Sequence, residues 1–279
     1  MGTTLDMSLP LSIAWSSLHR PELHRYGRHR SQVAELHLPA GPGPHPVVVV
    51  LHGGYWHAKY GRLVTRPICR NLASLGWAAW NLEYRRLGEG GGWPATFDDV
   101  AGGIDHLASL KDPRLDLDRV TVMGHSAGGQ LALWAGARPS LPEGAPGSSP
   151  VVPARRVVAM AAICNLRHAG RIAHVLIGGS PDEVPDRWEQ ADPMAQAPLS
   201  VPVLLVHPVD DQTVSVEQSR AYAAAATELG GQVTLMEPAS GGHRAPIYPV
   251  TSAWLSTVEW LDQSADQASS GTSSPFMPP

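Results

Sequence analysis

The chain has 279 residues and a formal net charge of −4 at pH 7. This length is enough to bury one large core, and the slightly negative charge argues against a nucleic-acid partner, whose phosphates would need to be neutralised. No apolar run approaches the length of a membrane span, and the first ten residues lack the basic and apolar regions of a secretory signal. We therefore expect a cytoplasmic protein with neither a nucleic-acid nor a membrane partner.

The two cysteines, Cys69 and Cys164, lie far apart in the chain. They match neither a metal-binding nor a redox spacing, so we expect them to be buried thiols. The sequence predicts no metal site and no cofactor.

Apolar, β-branched segments alternate with helical patterns along the chain. Strands are expected near residues 32–38, 46–51, 77–82, 119–124, 156–163, 202–207 and 232–237. Between and after these strands, apolar residues recur at helical spacing: Val100, Ile104 and Leu107, then Leu131 and Trp134, and finally Trp254, Val258 and Leu261. This alternation predicts an α/β fold with a mostly parallel central sheet and helices on both faces.

The domain organisation is predicted from composition. We expect a single domain over residues 1–262 and a small, polar, disordered tail over residues 263–279. Within the domain, residues 165–198 fall between two strands on the side where the strands' carboxyl ends open. That segment is expected to form a small cap over a pocket.

A glycine-rich loop follows the strand that begins at His45. The strand runs into His52-Gly53-Gly54-Tyr55-Trp56, and the glycines let the backbone turn its N–H groups into a pocket. Gly54 and Tyr55 are the expected oxyanion donors, whereas His52 is expected to brace the loop.

The stretch Val120-Thr-Val-Met-Gly124-His-Ser126-Ala-Gly128-Gly129 is an apolar run that ends in Gly-x-Ser-x-Gly and continues into a helical pattern. The tight strand-to-helix turn crowds its neighbours, which favours glycine on both sides of the serine. Ser126 is thereby expected to be an exposed nucleophile. The amide of Ala127, at the start of the next helix, is expected to be a further oxyanion donor.

A serine nucleophile needs a base, and the base needs a carboxylate that orients it. Pro208-Val-Asp210-Asp211 follows a late apolar strand, and Asp211 is the favoured acid, with Asp210 as its close competitor. The base is predicted by elimination, because His243 is the only histidine after Asp211. His207 is interpreted as the end of a strand, and His24 as a solvated side chain.

With these motifs the chain resembles an α/β-hydrolase over about residues 32 to 261. Its loop His52-Gly-Gly-Tyr-Trp56 resembles the oxyanion loop of the arylformamidase (kynurenine formamidase) and hormone-sensitive-lipase-like esterase branch. The resemblance implies the same site residues: Ser126 as nucleophile, Asp211 as acid, His243 as base, and Gly54, Tyr55 and Ala127 as oxyanion donors. The chain departs from many relatives at Pro208 and Ser215, which keeps the alternative of Asp210 open.

Aromatic and apolar residues near these loops are candidates for substrate contact: Trp56, His125, Trp93, Leu176 and Trp188. An aromatic wall would suit an aryl or indole-derived ligand. For the cap residues, packing of the cap's underside on the body is an equal alternative.

The predicted function is that of a cofactor-independent serine hydrolase. It would cleave small-acyl carboxylic esters or aryl formamides through an acyl-enzyme intermediate. Two alternatives remain: a biosynthetic acyl transferase or cyclase with the same triad, and a non-catalytic ligand-binding scaffold. The expected partner is a small ester or amide substrate, and assembly as a homodimer is left open.

Overall fold

Eight strands form one sheet in the computed structural model, which describes the backbone of residues 20–269 and side chains up to residue 263. The strands are β1 (Glu22–Arg25), β2 (Val33–His37), β3 (His45–Leu51), β4 (Ala78–Leu82), β5 (Leu115–His125), β6 (Arg156–Met160), β7 (Val203–Val206) and β8 (Val233–Met236). Their spatial order is β1-β2-β4-β3-β5-β6-β7-β8. The pairs β1–β2 and β2–β4 are antiparallel and all others are parallel, so the predicted mostly parallel sheet is confirmed.

Strand β1 was missed by the sequence patterns. It has four residues, most of them exposed, and it pairs with β2 at one edge of the sheet. Short, polar edge strands carry little periodic signal. The expectation that His24 is solvated is wrong, because its ring lies in β1 at 5.3 Å from the ring of Trp80.

Seven helices surround the sheet. They are α1 (Arg66–Ser74), α2 (Ala95–Leu110), α3 (Ala127–Ala137), α4 (Arg171–Ile177), α5 (Pro185–Ala191), α6 (Glu217–Glu228) and α7 (Ser252–Ser269), within the described residues 20–269. The predicted apolar stripes are present on three of them. Val100, Ile104 and Leu107 of α2, Leu131 and Trp134 of α3, and Trp254 and Leu261 of α7 are all buried.

The hydrophobic core has two layers, one on each face of the sheet. Side chains alternate along β3: Val47, Val49 and Leu51 enter the larger cluster, whereas Val48 and Val50 enter the smaller one. The larger cluster includes residues of α2 and α3, and the smaller one includes residues of α1 and α7. The predicted helices on both faces are thus confirmed.

The segment 165–198 folds into α4 and α5 between β6 and β7. Leu176 and Trp188 belong to the larger core cluster, so the underside of this cap packs on the body of the domain. At the other end, α7 continues to Ser269 and enters the segment from residue 263 that was expected to be disordered. The rest of that segment, and residues 1–19, lie outside the described residues.

Both cysteines are free and buried, as predicted. Within residues 20–269, no helix combines the length and apolar character that a membrane span requires.

The parallel strands place their carboxyl ends at one edge of the sheet. The loops that follow β3, β5, β7 and β8 therefore meet there. These loops hold the glycine-rich motif, the Gly-x-Ser-x-Gly motif, the aspartate pair and His243.

Candidate active site

Ser126 lies at a sharp turn between β5 and α3. Its backbone has φ 56° and ψ −119°, a conformation that non-glycine residues rarely adopt. A Cβ on Gly124 would lie 1.9 Å from the carbonyl oxygen of Gly128, and one on Gly128 would lie 2.2 Å from that of Leu51. Only glycine fits at these two positions, so the turn holds the serine side chain in one place.

The structure brings Ser126, His243 and Asp211 together, although the sequence separates them widely. Ser126 Oγ lies 3.0 Å from His243 Nε2, and His243 Nδ1 lies 2.7 Å from Asp211 Oδ2. These distances fit a hydrogen bond from the Ser126 hydroxyl to His243 Nε2 and another from His243 Nδ1–H to the Asp211 carboxylate.

The carboxylate of Asp211 is held in one orientation. Its Oδ1 accepts hydrogen bonds from the amides of Thr213 (2.7 Å) and Val214 (3.0 Å), while Oδ2 faces the base. Burial opposes ionisation, but the hydrogen bonds from His243 and from the two amides outweigh it and hold the pKa of Asp211 below its usual range. Asp211 is therefore ionised at neutral pH and can stabilise an imidazolium on His243.

Asp210 does not contact the base. Its exposed carboxylate accepts the amides of Gly241 (3.0 Å) and Gly242 (2.8 Å), two residues of the loop that carries His243. These backbone hydrogen bonds, that of Gly242 first, hold the pKa of Asp210 below its usual range. The geometry favours Asp211 over Asp210 as the acid.

Gly54 and Tyr55 of the glycine-rich loop line the same cleft as Ser126. Gly54, Tyr55 and Trp56 all have positive φ, at 115°, 53° and 54°. Within residues 20–269, the amides of Gly54, Tyr55 and Ala127 donate to no other protein group. They are available to an oxyanion that forms beside Ser126.

Trp56 anchors this loop rather than facing a substrate. Its side chain is 1% exposed, and Nε1 donates to Gln130 Oε1 on α3 at 3.1 Å. The prediction that Trp56 contacts substrate is therefore wrong, because its ring packs in the larger core cluster and its N–H group is taken up by Gln130.

His52 braces the same loop from behind, as predicted. Its Nδ1 lies 2.9 Å from the carbonyl oxygen of Gly53, and its Nε2 lies 2.7 Å from Glu83 Oε1. Its ring stacks on that of Tyr84, whose hydroxyl donates to the His52 carbonyl.

The cleft at Ser126 has a volume of about 230 Å³. Its walls come from the glycine-rich loop, the serine turn and the His243 loop: Gly53, Gly54, Tyr55, Tyr60, Val64, His125, Ser126, His243, Arg244 and Ile247. Most of these surfaces are apolar or backbone.

His125 lines the cleft and also holds the base. Its Nε2 donates to the carbonyl oxygen of His243 at 2.7 Å, and the two rings are 4.7 Å apart. Burial, followed by the proximity of His243, lowers the pKa of His125 to about 3, so the ring is neutral at pH 7. Contact between His125 and a substrate stays a prediction. The structure shows in addition that His125 holds the backbone of the His243 loop.

Three other candidates for substrate contact are not at the cleft. Leu176 and Trp188 are at most 1% exposed, and Trp188 donates to the carbonyl oxygen of Gly179 within the cap. Trp93 packs on Phe97 at 5.1 Å between ring centres. These predictions are wrong, because Leu176 and Trp188 are buried in the core and the partly buried Trp93 packs against it, away from the residues that line the serine cleft.

A second, larger cleft of about 530 Å³ adjoins the first at Tyr55, which lines both. Cap residues and the start of α6 form most of its walls: Ile163, Asn165, His168, Ala169, Met194, Thr213, Val214, Ser215, Glu217, Gln218 and Ala221. The cap thus borders a space beside the serine cleft and does not line the serine cleft itself.

The sequence patterns missed His207 as a site residue. Its Nε2 lies 3.2 Å from Asp211 Oδ2, the oxygen that faces the base. The spacing of four residues between His207 and Asp211 was the available signal. Whether the two residues meet depends on the turn after β7, which the sequence pattern does not show.

Comparison with known proteins shows the family. The BD-FAE family matches residues 35–225, more than half of the chain. The chain belongs to the BD-FAE family. The matched range includes Ser126 and Asp211, and His243 lies beyond its end.

Two curated relatives of this BD-FAE chain come from Mycobacterium tuberculosis (strain ATCC 25618 / H37Rv). Esterase LipQ and esterase LipC are each 25% identical to it, over alignments of 256 and 253 residues, and each match covers 81% of this chain. The chain spans 60% of the length of these relatives.

Solved structures confirm the predicted α/β-hydrolase fold for this BD-FAE chain. A truncated carbohydrate esterase from gut microbiota aligns with a TM-score of 0.77 at 21% identity, covering 88% of this chain and 97% of that one. The butyrate-bound esterase Est2 from Thermogutta terrifontis aligns with a TM-score of 0.71 at 20% identity, covering 92% of this chain and 96% of that one.

In the described part of the chain, no cluster of His, Cys, Asp and Glu side chains could hold a metal ion.

Proposed function

We propose that this protein is a serine hydrolase that cleaves carboxylic esters with a small acyl group. The observation that carries the proposal is the hydrogen-bonded series from Ser126 Oγ through His243 to the ionised Asp211. The esterase names of LipQ and LipC support it. The amides of Gly54, Tyr55 and Ala127 also support it, because they lie near Ser126 and have no hydrogen-bond acceptor among the described residues 20–269.

In the proposed reaction, Ser126 Oγ bonds to the ester carbonyl carbon while His243 Nε2 takes its proton. The amides of Gly54, Tyr55 and Ala127 stabilise the oxyanion. When the tetrahedral intermediate collapses, the C–O bond to the alcohol breaks and His243 gives the proton to the leaving oxygen. Water then attacks the acyl-enzyme, with His243 as base, and releases the acid.

The size of the serine cleft supports a short acyl chain. Tyr60, Val64 and Ile247 form its apolar wall, and its volume is about 230 Å³. The structural neighbour Est2 is described in butyrate-bound and propionate-bound forms. We infer that this chain accepts acyl groups of similar length.

The second cleft supports a polar leaving group. Its wall carries neutral hydrogen-bonding side chains, including Asn165, Thr213 and Gln218, beside the half-exposed ring of Tyr55. Such a surface suits an alcohol that bears several hydroxyl groups. Structural neighbours described as a carbohydrate esterase and as an acetyl ester-xyloside hydrolase are consistent with this choice.

Aryl formamides remain a second candidate substrate class. The formyl group is the smallest acyl group, and the exposed ring of Tyr55 would contact an aryl leaving group. The test compares the hydrolysis rates of three kinds of substrate: N-formylated aryl amines, acetate esters of the same aryl group, and acetate esters of sugars. Faster hydrolysis of the formylated amines would favour formamides, and faster hydrolysis of the acetates would favour esters.

The first test is intact-protein mass spectrometry after exposure to an organophosphonate that labels activated serines. We expect a single adduct on wild type and none on Ser126→Ala. The same two proteins are then assayed with p-nitrophenyl acetate, butyrate and octanoate, where we expect the shorter esters to react faster. A folded wild type without adduct and without hydrolysis would favour the ligand-binding scaffold instead.

Acyl transfer is tested by product analysis. With an added alcohol or amine acceptor, ordinary hydrolysis gives mainly the free acid, because water reaches the acyl-enzyme. A dominant acyl ester or amide product would assign the triad to a transferase or cyclase.

A further inference from the structure

His207 is the first residue after β7, and its side chain is fully buried. Its Nε2 lies 3.2 Å from Asp211 Oδ2, and the base approaches the same oxygen at 2.7 Å. The acid therefore has a second imidazole on the side away from the cleft. The proposed mechanism does not use this imidazole.

The hydrogen-bond partners of His207 determine which nitrogen carries its proton. Nε2 lies 2.9 Å from the carbonyl oxygen of Val214, which can only accept, so Nε2 carries a hydrogen. Nδ1 lies 2.7 Å from Ser219 Oγ, which can donate to it. Burial lowers the pKa of His207, which agrees with a neutral ring.

The Nε2–H group of His207 donates to the Val214 carbonyl, and the same nitrogen lies 3.2 Å from Asp211 Oδ2. The amides of Thr213 and Val214 hold Oδ1, so groups other than His243 lie against both oxygens of the carboxylate. We propose that His207 is a positioning residue, a neutral imidazole that fixes the rotation of the Asp211 carboxylate so that Oδ2 points at His243. This proposal rests on the proposed function of the triad.

A neutral donor at this place also adjusts the charge of the acid. The titratable groups that face His207 are Asp211 and His243 and, through Ser219, the thiol of Cys164. The positive end of the N–H dipole, 3.2 Å from Oδ2 at the nitrogen, offsets part of the negative charge that His243 would otherwise feel. Loss of this donor makes Asp211 a stronger partner for the imidazolium, which raises the pKa of the base.

The test compares His207→Leu, which has no donor, with His207→Gln, whose amide nitrogen can reach the Nε2 position. Ser219→Ala is the matched control, because the Val214 carbonyl still keeps the proton on Nε2. Each folded variant is assayed for kcat and KM with p-nitrophenyl acetate from about pH 5 to about pH 9.

We expect kcat of His207→Leu to fall about 10- to 100-fold with little change in KM, since a misplaced catalytic group costs on this order. The acid limb of its pH profile should move to higher pH. His207→Gln should recover to within about fivefold of wild type, and Ser219→Ala should lie within about threefold. A folded His207→Leu with the wild-type kcat and pH profile would overturn the proposal, and so would a Gln variant as defective as the Leu variant.

A spectroscopic measurement separates this proposal from the proposed function. The ¹⁵N chemical shifts of His207 in the wild-type protein report its tautomer without any substrate. A neutral ring protonated on Nε2 through neutral pH supports the assignment, even where the Leu variant fails to fold. A His207 ring protonated on Nδ1, or an imidazolium, overturns the assignment of His207. Failure of the proposed function is a different result, namely equal ester hydrolysis by wild type and Ser126→Ala.

Discussion

Asp210 and Asp211 are neighbours in the chain with different contacts at the His243 loop. Asp211 faces the imidazole, while Asp210 holds the backbone of Gly241 and Gly242. Asp211 therefore acts on the charge of the His243 ring, and Asp210 acts on the shape of the loop that carries this ring.

Asp211→Asn should lower kcat by about 10³- to 10⁴-fold, because an amide can turn its N–H₂ toward the base and favours the wrong tautomer. Asp210→Asn should cost about tenfold or less, because its partners are exposed amides. Steady-state kinetics on the two purified variants checks the ranking. The reverse order would assign the acid to Asp210.

His125 is a buried neutral histidine, which makes stability depend on pH. The folded protein keeps its pKa near 3, whereas the unfolded chain takes up a proton below about pH 6.5. Since the unfolded state binds more protons between these values, the contribution of His125 to stability is full above about pH 6.5 and is lost as the pH falls toward 3.

His125→Gln keeps a donor for the His243 carbonyl but cannot titrate. Relative to this variant, wild type should lose about 1.4 kcal/mol of unfolding free energy per pH unit between about pH 6 and about pH 4. Urea denaturation at several pH values measures the difference. His57→Gln, which removes an exposed imidazole, is the control. If wild type does not lose unfolding free energy relative to His125→Gln as the pH falls, the assignment is contradicted.

At the scale of elements, the strand–turn–helix unit around Ser126 depends on glycines that have no room for a side chain. Gly124 and Gly128 contact backbone atoms, which cannot move as a flexible side chain can. On α2, by contrast, nothing lies within 4 Å of a Cβ built on the exposed Gly102.

Gly124→Ala should destabilise the protein by about 3 kcal/mol or more, because overpacking here displaces the turn itself. Gly102→Ala should stabilise it by about 0.5 to 1 kcal/mol, because alanine loses less backbone entropy than glycine in a helix. Thermal or urea unfolding of both variants checks the opposite signs. Equal effects would mean that the turn can relax around a methyl group.

At the scale of the whole molecule, one sheet connects two core layers. Leu72 of α1 and Leu131 of α3 are fully buried in different layers, on opposite faces of the sheet. Neither layer is closed without the strands between them, so the two layers should unfold together.

Leu72→Ala and Leu131→Ala should each lower the unfolding free energy by about 2 to 5 kcal/mol. In the double variant the two losses should add to within about 0.5 kcal/mol, because the two side chains belong to different core clusters on opposite faces of the sheet. Both should shift one and the same transition in denaturant, followed by circular dichroism and by tryptophan fluorescence. Two separate transitions would show that the layers unfold independently.

Most of the fold could be predicted from periodicity, because seven of the strands and the helix stripes are local, repetitive patterns. Strand β1 was missed since its polar residues are stable as a strand only by pairing with β2. The serine turn was predictable for a different reason. Its motif lies within ten residues of chain, and the contact that requires Gly124 is with Gly128 inside the turn, whereas the contact that requires Gly128 is with Leu51 of β3.

The sequence by itself thus determined the strand–turn–helix unit around Ser126 and the glycine-rich loop, which are local motifs. From the count of histidines it also predicted that His243 meets Ser126. Only the tertiary structure decided which aspartate meets His243, and that His207 lies behind that aspartate. It also decided that the indole of Trp56 is in the core. The physical reason is that a side chain's neighbours depend on packing between elements far apart in the chain, whereas periodicity and turn sterics act within a few residues.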